Sequence, residues 1–339
     1  MRKQYNIAVV GATGVVGGEI IAVLEERNFP VGKILPLASD NSIGKEVQFG
    51  EKNLPVEVLD EKSFTGVDIA LFSAGGKVSE KHAPIAAGAG AVVIDNTSAF
   101  RNDPKIPLVV PEINPHRIAD YKEKGIIANP NCSTIQMVMV LKPLHDVVPI
   151  KRVVVTTFQS VSGAGISAME ELSKQAVNLF SGAECDSKVF PHRIAFNCIP
   201  HIGKFNADGD TEEELKLVNE TAKIMEDDSI KVSATAVRVP VFSGHAESLN
   251  IEFSDEISPS SVKEILSSAS GVLLLDDPGL CRYPMAIEVT GKDEVFAGRI
   301  RKDPTVEFGI SMWIAADNIR KGAALNAVQI AEILAKDYL

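Results

Sequence analysis

Ile7-Ala8-Val9-Val10-Gly11-Ala12-Thr13-Gly14-Val15-Val16-Gly17 decides the fold of this chain. Four apolar residues read as a buried strand, and the glycine-punctuated run breaks that strand and opens a helix. Glycine lets the backbone turn sharply and come close to a pyrophosphate. A helix start then offers free N–H groups and the positive end of its dipole to that anion. The spacing is G-x-x-G-x-x-G, one residue longer than the usual dinucleotide fingerprint. Its place after the first strand favours a dinucleotide site over a plain tight turn. Gly11, Thr13, Gly14, Val15 and Val16 are the candidate contacts.

Outward from this turn, Gly17–Arg27 reads as a helix with Ile20, Ile21, Val23 and Leu24 on one stripe. Short apolar strands follow at Ile34–Ala38, Val56–Leu59, Ile69–Ser73, Ala91–Asp95 and Leu108–Val110. Such alternation predicts an α/β domain with a mostly parallel sheet covered on both faces. Past Cys132 the pattern changes. Ser133–Leu144, Ile166–Phe180 and Thr211–Asp227 read as helices. Arg152–Val161, Val232–Val239, Ala246–Phe253, Met285–Thr290, Glu294–Arg301 and Val306–Ala315 read as longer strands, which predicts an α+β second domain with a mixed sheet. An amphipathic helix over Ile319–Lys336 returns to cover the first domain. The expected boundaries are 1–130 plus 318–339 for the dinucleotide domain, and 131–317 for the second.

The 339 residues carry a net charge of −11, so a broad basic face for nucleic acid is not expected. A composition of 45% hydrophobic and 23% charged residues is that of a globular protein. No apolar run is long enough to span a membrane. Met1-Arg2-Lys3 is basic, but the apolar run behind it is too short for a signal peptide. The four cysteines lack metal-type spacing, so no metal is expected. In a cytoplasmic chain they are reduced thiols.

Asn129-Pro130-Asn131-Cys132-Ser133-Thr134 stands directly before a helix. Asn, Ser and Thr are capping residues, and Pro stops the helix from running backwards. Cys132 therefore falls in the first turn, where the dipole and free N–H groups favour thiolate and can hold an oxyanion. Cys185, Cys198 and Cys281 have no such setting and read as buried small hydrophobes. At the end of the second strand, Ser39, Asn41 and Ser42 are candidate contacts to the cofactor ribose, beside Asp40 and Lys45. An acidic group there favours NAD and hydroxyls with a cation favour NADP, and this loop holds both kinds.

The glycine turn, Ser98-Ala99-Phe100-Arg101, the Asn129–Thr134 segment, Phe158-Gln159-Ser160-Val161-Ser162-Gly163-Ala164-Gly165, Val237-Arg238-Val239-Pro240, Ser243-Gly244-His245 and Lys321-Gly322-Ala323-Ala324 occur in the order found in aspartate-semialdehyde dehydrogenases. The resemblance spans the whole chain. It implies a Rossmann domain for NADP and a glyceraldehyde-3-phosphate-dehydrogenase-like catalytic and dimerisation domain. It also implies the NADPH-dependent conversion of 4-aspartyl phosphate to aspartate 4-semialdehyde in lysine (diaminopimelate), threonine, methionine and isoleucine biosynthesis.

By the same resemblance Cys132 is the nucleophile, His245 the acid–base residue that accepts and returns a proton, and Gln159 a holder of the substrate carbonyl. Arg238 grips the α-carboxylate, and Glu213 meets the amino group. Arg101, Lys216 and Asn131 hold phosphate, and Ser162, Gly163 and Asn318 lie near the nicotinamide. Many members carry Arg where this chain has Asn41, which leaves NAD use open. The partners implied are small molecules and a second copy of the chain, as a homodimer with a tetramer still open. The nearest alternative is N-acetyl-γ-glutamyl-phosphate reductase, whose cysteine segment usually reads Gly-Cys. A glyceraldehyde-phosphate-type dehydrogenase differs around its cysteine. A dinucleotide-binding regulator without turnover would need no nucleophile.

Overall fold

The computed structural model describes residues 3–339, and Met1 and Arg2 of the basic start lie outside the described residues. Two compact units divide the chain. One comprises residues up to Asn131 together with Ala323–Leu339, and the other is Cys132–Gly322.

The first unit runs β1 (Tyr5–Val10), α1 (Val15–Glu26), β2 (Val31–Ala38), β3 (Glu46–Phe49), β4 (Lys52–Pro55), β5 (Glu57–Val58), β6 (Ile69–Phe72), α2 (Gly76–Gly88), β7 (Val92–Asp95) and β8 (Ile126–Ala128). Its main sheet has the order β5-β2-β1-β6-β7-β8, and every pairing is parallel. Ligand sites in such sheets open at the carboxyl ends of the strands, where β1 turns into α1. Ile20, Ile21, Val23 and Leu24 of α1 are buried in the core of this unit. The same core contains Ala324–Leu334 side chains from the end of the chain.

The second unit runs α3 (Cys132–His145), β9 (Ile150–Gln159), α4 (Ile166–Ser181), α5 (Glu212–Met225), β10 (Lys231–Arg238), β11 (His245–Phe253), α6 (Pro259–Ser268), β12 (Val272–Leu274), α7 (Ala286–Val289), β13 (Val295–Asp303) and β14 (Gly309–Ala316). Its sheet has the order β10-β9-β11-β14-β13-β12. It is mixed, because β10–β9 and β12–β13 are parallel and the other pairs antiparallel. Along β9, Val153, Val155, Thr157 and Gln159 are buried while Val154, Thr156 and Phe158 are half-buried. The helix α3 lies against β9 and β11 and is buried on nearly all sides. α8 (Leu325–Asp337) belongs to the first unit and follows a π-helical turn, Arg320–Ala324. Among the described residues no helix is long and apolar enough to cross a membrane.

Two expected strands are absent. Met285–Thr290 contains the short helix α7, with Ile287 81% exposed. A brief apolar run cannot by itself distinguish strand from helix. Leu108–Val110 makes only one bridge, Leu108 to Ala128. Side chains take others of its backbone groups, since the Asn114 Oδ1 accepts from the Val110 N–H, its Nδ2 donates to the Leu108 carbonyl, and the Asn326 Nδ2 donates to the Val109 carbonyl. An Asx side chain has here replaced the neighbouring strand. The cysteine expectation also fails in part, because Cys198 and Cys281 are exposed. Both lie in irregular segments, where there is no core to enter.

Candidate active site

Gly11 has φ +87°, and a Cβ there would lie 3.0 Å from the Ala74 nitrogen. A Cβ on Gly17 would lie 2.1 Å from the Gly11 carbonyl, so no side chain fits where α1 packs on the turn. Gly14 caps α1 without any side-chain hydrogen bond, which leaves the first N–H groups of the helix available. They open on a cavity of about 510 Å³ whose lining includes Gly11, Thr13, Gly14 and Ser39. These features suit a dinucleotide phosphate. Ser42 is buried and its hydroxyl lies 3.0 Å from that of Thr13, while Asn41 is exposed. The sequence reading missed His82, which lines the same cavity from α2. Burial lowers its pKa.

Arg101 also belongs to the first unit. Its Nε donates to the Asn129 carbonyl at 2.9 Å and its Nη2 to the Asn96 carbonyl at 2.7 Å. Asn131, buried, ends this unit's main segment.

The remaining candidates are side chains of the second unit. Cys132 is the first residue of α3 and is partly exposed. Pro130 closes off the preceding backbone, so the first turn begins at the sulfur-bearing residue. A Cβ on Gly322 would lie 2.9 Å from the Cys132 Cβ, so the π turn backs directly against Cys132. Gly322→Ala must therefore push Cys132 aside. A displacement near 1 Å at the reacting atom costs about 10²-fold in kcat. That loss is expected with dinucleotide affinity unchanged, as read by steady-state kinetics beside a fluorescence titration with the reduced dinucleotide.

Gln159 ends β9 and Arg238 ends β10, and the two are register partners. The Gln159 Nε2 donates to Glu213 Oε1 at 3.0 Å, and its Oε1 accepts from the Thr157 hydroxyl at 3.1 Å. The other Glu213 oxygen accepts from Lys216 Nζ at 2.8 Å. Gln159 and Glu213 are buried, which sets this chain of polar groups apart from a solvated surface pair. Arg238 Nη1 donates to the Ser160 carbonyl at 2.6 Å, and its guanidinium carbon sits 6.0 Å from the Phe190 ring centre. Burial lowers the Arg238 pKa, opposed by Glu213 and by a charge on Cys132. The cation and the sulfur are thus close enough to interact.

His245 opens β11 and is fully buried. Its Nδ1 accepts from the Ser160 backbone N–H at 3.1 Å, and the Ser160 hydroxyl lies 3.0 Å from the same atom. Asn318 Oδ1 accepts from the Gly244 N–H at 2.9 Å and lies within reach of the hydroxyls of Ser160 and Ser162. Burial first, and the Arg238 charge second, push the His245 pKa down to about 3 against the pull of Glu213. The imidazole is neutral at physiological pH. A Cβ on Gly163 would lie 3.2 Å from Arg238 Nη1 and 3.4 Å from His245 Nε2, so glycine keeps that space clear.

Two further residues carry no obvious signal in the sequence. Ser160 joins Arg238 to His245 through its two backbone groups. Glu247 is fully buried, and burial raises its pKa well above the carboxylate range, partly offset by Gln136 and Ser133.

A family model described as semialdehyde dehydrogenase, NAD binding domain, matches residues 6–121. Another, semialdehyde dehydrogenase, dimerisation domain, matches residues 141–321. The aspartate-semialdehyde dehydrogenase of Aquifex aeolicus is 57% identical over 337 residues, covering 99% of each chain. That of Legionella pneumophila is 52% identical, covering 100% of this chain and 98% of its own. The crystal structure of aspartate semialdehyde dehydrogenase II from Vibrio cholerae complexed with ASA superposes with TM-score 0.97 at 50% identity, covering 99% of this chain and all of that one. A Candida albicans aspartate semialdehyde dehydrogenase with NADP matches at TM-score 0.76 and 26% identity over 98% of each chain.

Proposed function

The chain belongs to the aspartate-semialdehyde dehydrogenase family of oxidoreductases, and from that premise we propose that it converts L-4-aspartyl phosphate to L-aspartate 4-semialdehyde through a thioester on Cys132. The observation that carries this reading is the grouping of four side chains in one unit. Arg238 feels the Cys132 charge, shares register with Gln159, and is joined through Ser160 to His245. A regulator that merely binds a dinucleotide has no use for that grouping.

When bound, the nicotinamide dinucleotide supplies hydride to the acyl carbon. Gly11, Thr13, Gly14, Val15 and Val16 would hold its pyrophosphate, and Ser39, Asn41 and Ser42 its ribose. Cys132 attacks the acyl phosphate as thiolate, a strong nucleophile and a good leaving group. Gln159 orients the carbonyl, Arg238 binds the α-carboxylate bidentately, and Glu213 takes the amino group. Arg101, Lys216 and Asn131 serve the phosphate. Ser162, Gly163 and Asn318 line the approach of the nicotinamide. We assign NADP as the cofactor, as in the Candida albicans neighbour. Domain boundaries near residue 131 and near residues 318–323 separate cofactor from substrate chemistry. The enzyme works in the cytoplasm as a homodimer joined through its second domain.

Phosphate-dependent NADP reduction with aspartate semialdehyde tests the assignment. Activity on N-acetylglutamate semialdehyde instead would overturn it. For the cofactor, kcat/KM is expected to favour NADPH over NADH in the parent. Asn41→Arg should raise that ratio by about 10-fold or more, since a hydrogen bond to a charged group contributes about 1.5–3 kcal/mol. An unchanged ratio would remove Asn41 from the 2′-phosphate site.

A further inference from the structure

Between α4 and α5, residues 186–195 form neither helix nor strand. The backbone N–H groups of such a segment need partners from elsewhere. Two side chains one turn apart on α4 supply them. Glu171 Oε2 accepts from the Lys188 and Val189 N–H groups at 2.8 and 2.7 Å. Gln175 Oε1 accepts from the Ile194 and Ala195 N–H groups at 3.0 and 3.1 Å, and its Nε2 donates to the Asp186 carbonyl at 2.7 Å. Gln175 is buried, and the bonds to the Glu171 carboxylate are charge-assisted. The segment is strapped to α4 near both of its ends.

Beyond that anchor the strap reaches Arg238. Ile199 and Arg238 exchange both backbone hydrogen bonds, each of 2.9 Å. Within the strap, Phe190 is half-buried and packs on a small core that includes Val161, Leu172 and Ile194. The Arg238 guanidinium carbon lies over the Phe190 ring, 6.0 Å from its centre. A guanidinium is attracted to an aromatic face, and more strongly where water is excluded. Arg238 is buried, so the ring stands where solvent would otherwise meet the cation. The Ser160 carbonyl holds Nη1 at 2.6 Å. Ring and carbonyl together fix the guanidinium while its remaining N–H groups stay available.

We propose that Phe190 is a positioning residue for substrate binding: carried on the strap that Glu171 and Gln175 hold to α4, its ring keeps the Arg238 guanidinium oriented toward the substrate carboxylate. The proposal rests on the reading of Arg238 given above and names the residues that make its fork rigid. A fork already oriented loses less conformational freedom when it binds, so the effect falls on substrate affinity and not on the chemical step. The plainer role for Phe190 is to fill the small core beside α4. Leucine fills that core with apolar atoms and has no π face, so it separates the two roles.

Steady-state kinetics of the full-length enzyme with aspartate semialdehyde, phosphate and NADP test the proposal. Phe190→Leu should raise KM for aspartate semialdehyde about 10-fold and leave kcat within about 2-fold of the parent. Phe190→Tyr keeps the ring and should hold KM within about 2-fold of the parent. Glu171→Ala keeps the ring but frees the strap, so KM should rise by about 3-fold or more. NADPH affinity, read by fluorescence titration, should be parental in all three variants.

A parental KM in Phe190→Leu, or a KM raised equally by Leu and Tyr, would overturn the proposal. So would a loss confined to kcat. A parental KM in Glu171→Ala would remove the strap from the account. If Arg238→Lys raises KM and Phe190→Leu does not, the carboxylate reading stands and this proposal falls. If Arg238→Lys keeps the parental KM, that reading fails first and takes the proposal with it.

Discussion

Cys132→Ala protein binds NADPH as tightly as the parent and turns over no substrate. The two halves of this result come from separate parts of the chain. The phosphate-binding turn and its cavity are built from Gly11, Thr13, Gly14 and Ser39 in the first unit. The sulfur belongs to the second. Removing one partly exposed sulfur opens no large cavity, so the fold is retained. What is lost is the covalent step itself. Water cannot replace a thiolate as both nucleophile and leaving group, and loss of a nucleophile that works in concert with its neighbours costs about 10⁴–10⁶-fold in kcat. The measurement is phosphate-dependent NADP reduction beside a fluorescence titration with NADPH. Mass spectrometry of parent enzyme trapped with substrate should find one acyl adduct, on the Cys132 peptide. Turnover in the Ala variant within about 10-fold of the parent would end the thioester mechanism.

The parts of this molecule readable from sequence are those where local chemistry decides the structure. The 7–17 segment is one, because strand, glycine turn and helix follow one another within a few residues and each step has its own residue type. Asn129–Thr134 is another, since Pro130 and the polar residues around Cys132 define a helix start. The segments that misled are those where a distant group decides. Leu108–Val110 has strand composition, yet the side chains of Asn114 and Asn326 occupy several of its backbone groups. The helix α2 was not anticipated because Gly76, Gly88 and an internal Pro84 weaken its signal, and packing against β6 and β7 makes up the difference.

The site divides the same way. Cys132, Gln159, Arg238 and His245 were visible as residue types in a matching order. Ser160 was not, because its role is played by backbone atoms that any residue possesses. Nor was Glu247, whose raised pKa follows from complete burial and not from its neighbours in sequence. The hydrogen bond that holds His245 Nδ1 comes from an amide 85 residues away, a relation that no spacing rule records.

Arg238 carries the second large expectation, and two substitutions there separate its two roles. The guanidinium offers a rigid fork to a carboxylate, which an ammonium cannot reproduce. Arg238→Lys keeps the positive charge near Cys132 and loses the fork. Its KM for aspartate semialdehyde should rise by about 10²–10³-fold, the size expected when one partner of a buried, hydrogen-bonded charge pair is removed. The alkylation rate of Cys132 by iodoacetamide should stay near that of the parent. Arg238→Leu removes the charge as well, so alkylation should slow together with the loss of substrate binding. The Leu variant also leaves the Ser160 carbonyl without its 2.6 Å donor. The same peptide segment donates to His245, so a fall in kcat beyond that of the Lys variant is expected. If Lys supports the parental KM, the α-carboxylate is bound elsewhere, and Arg238 serves the sulfur alone.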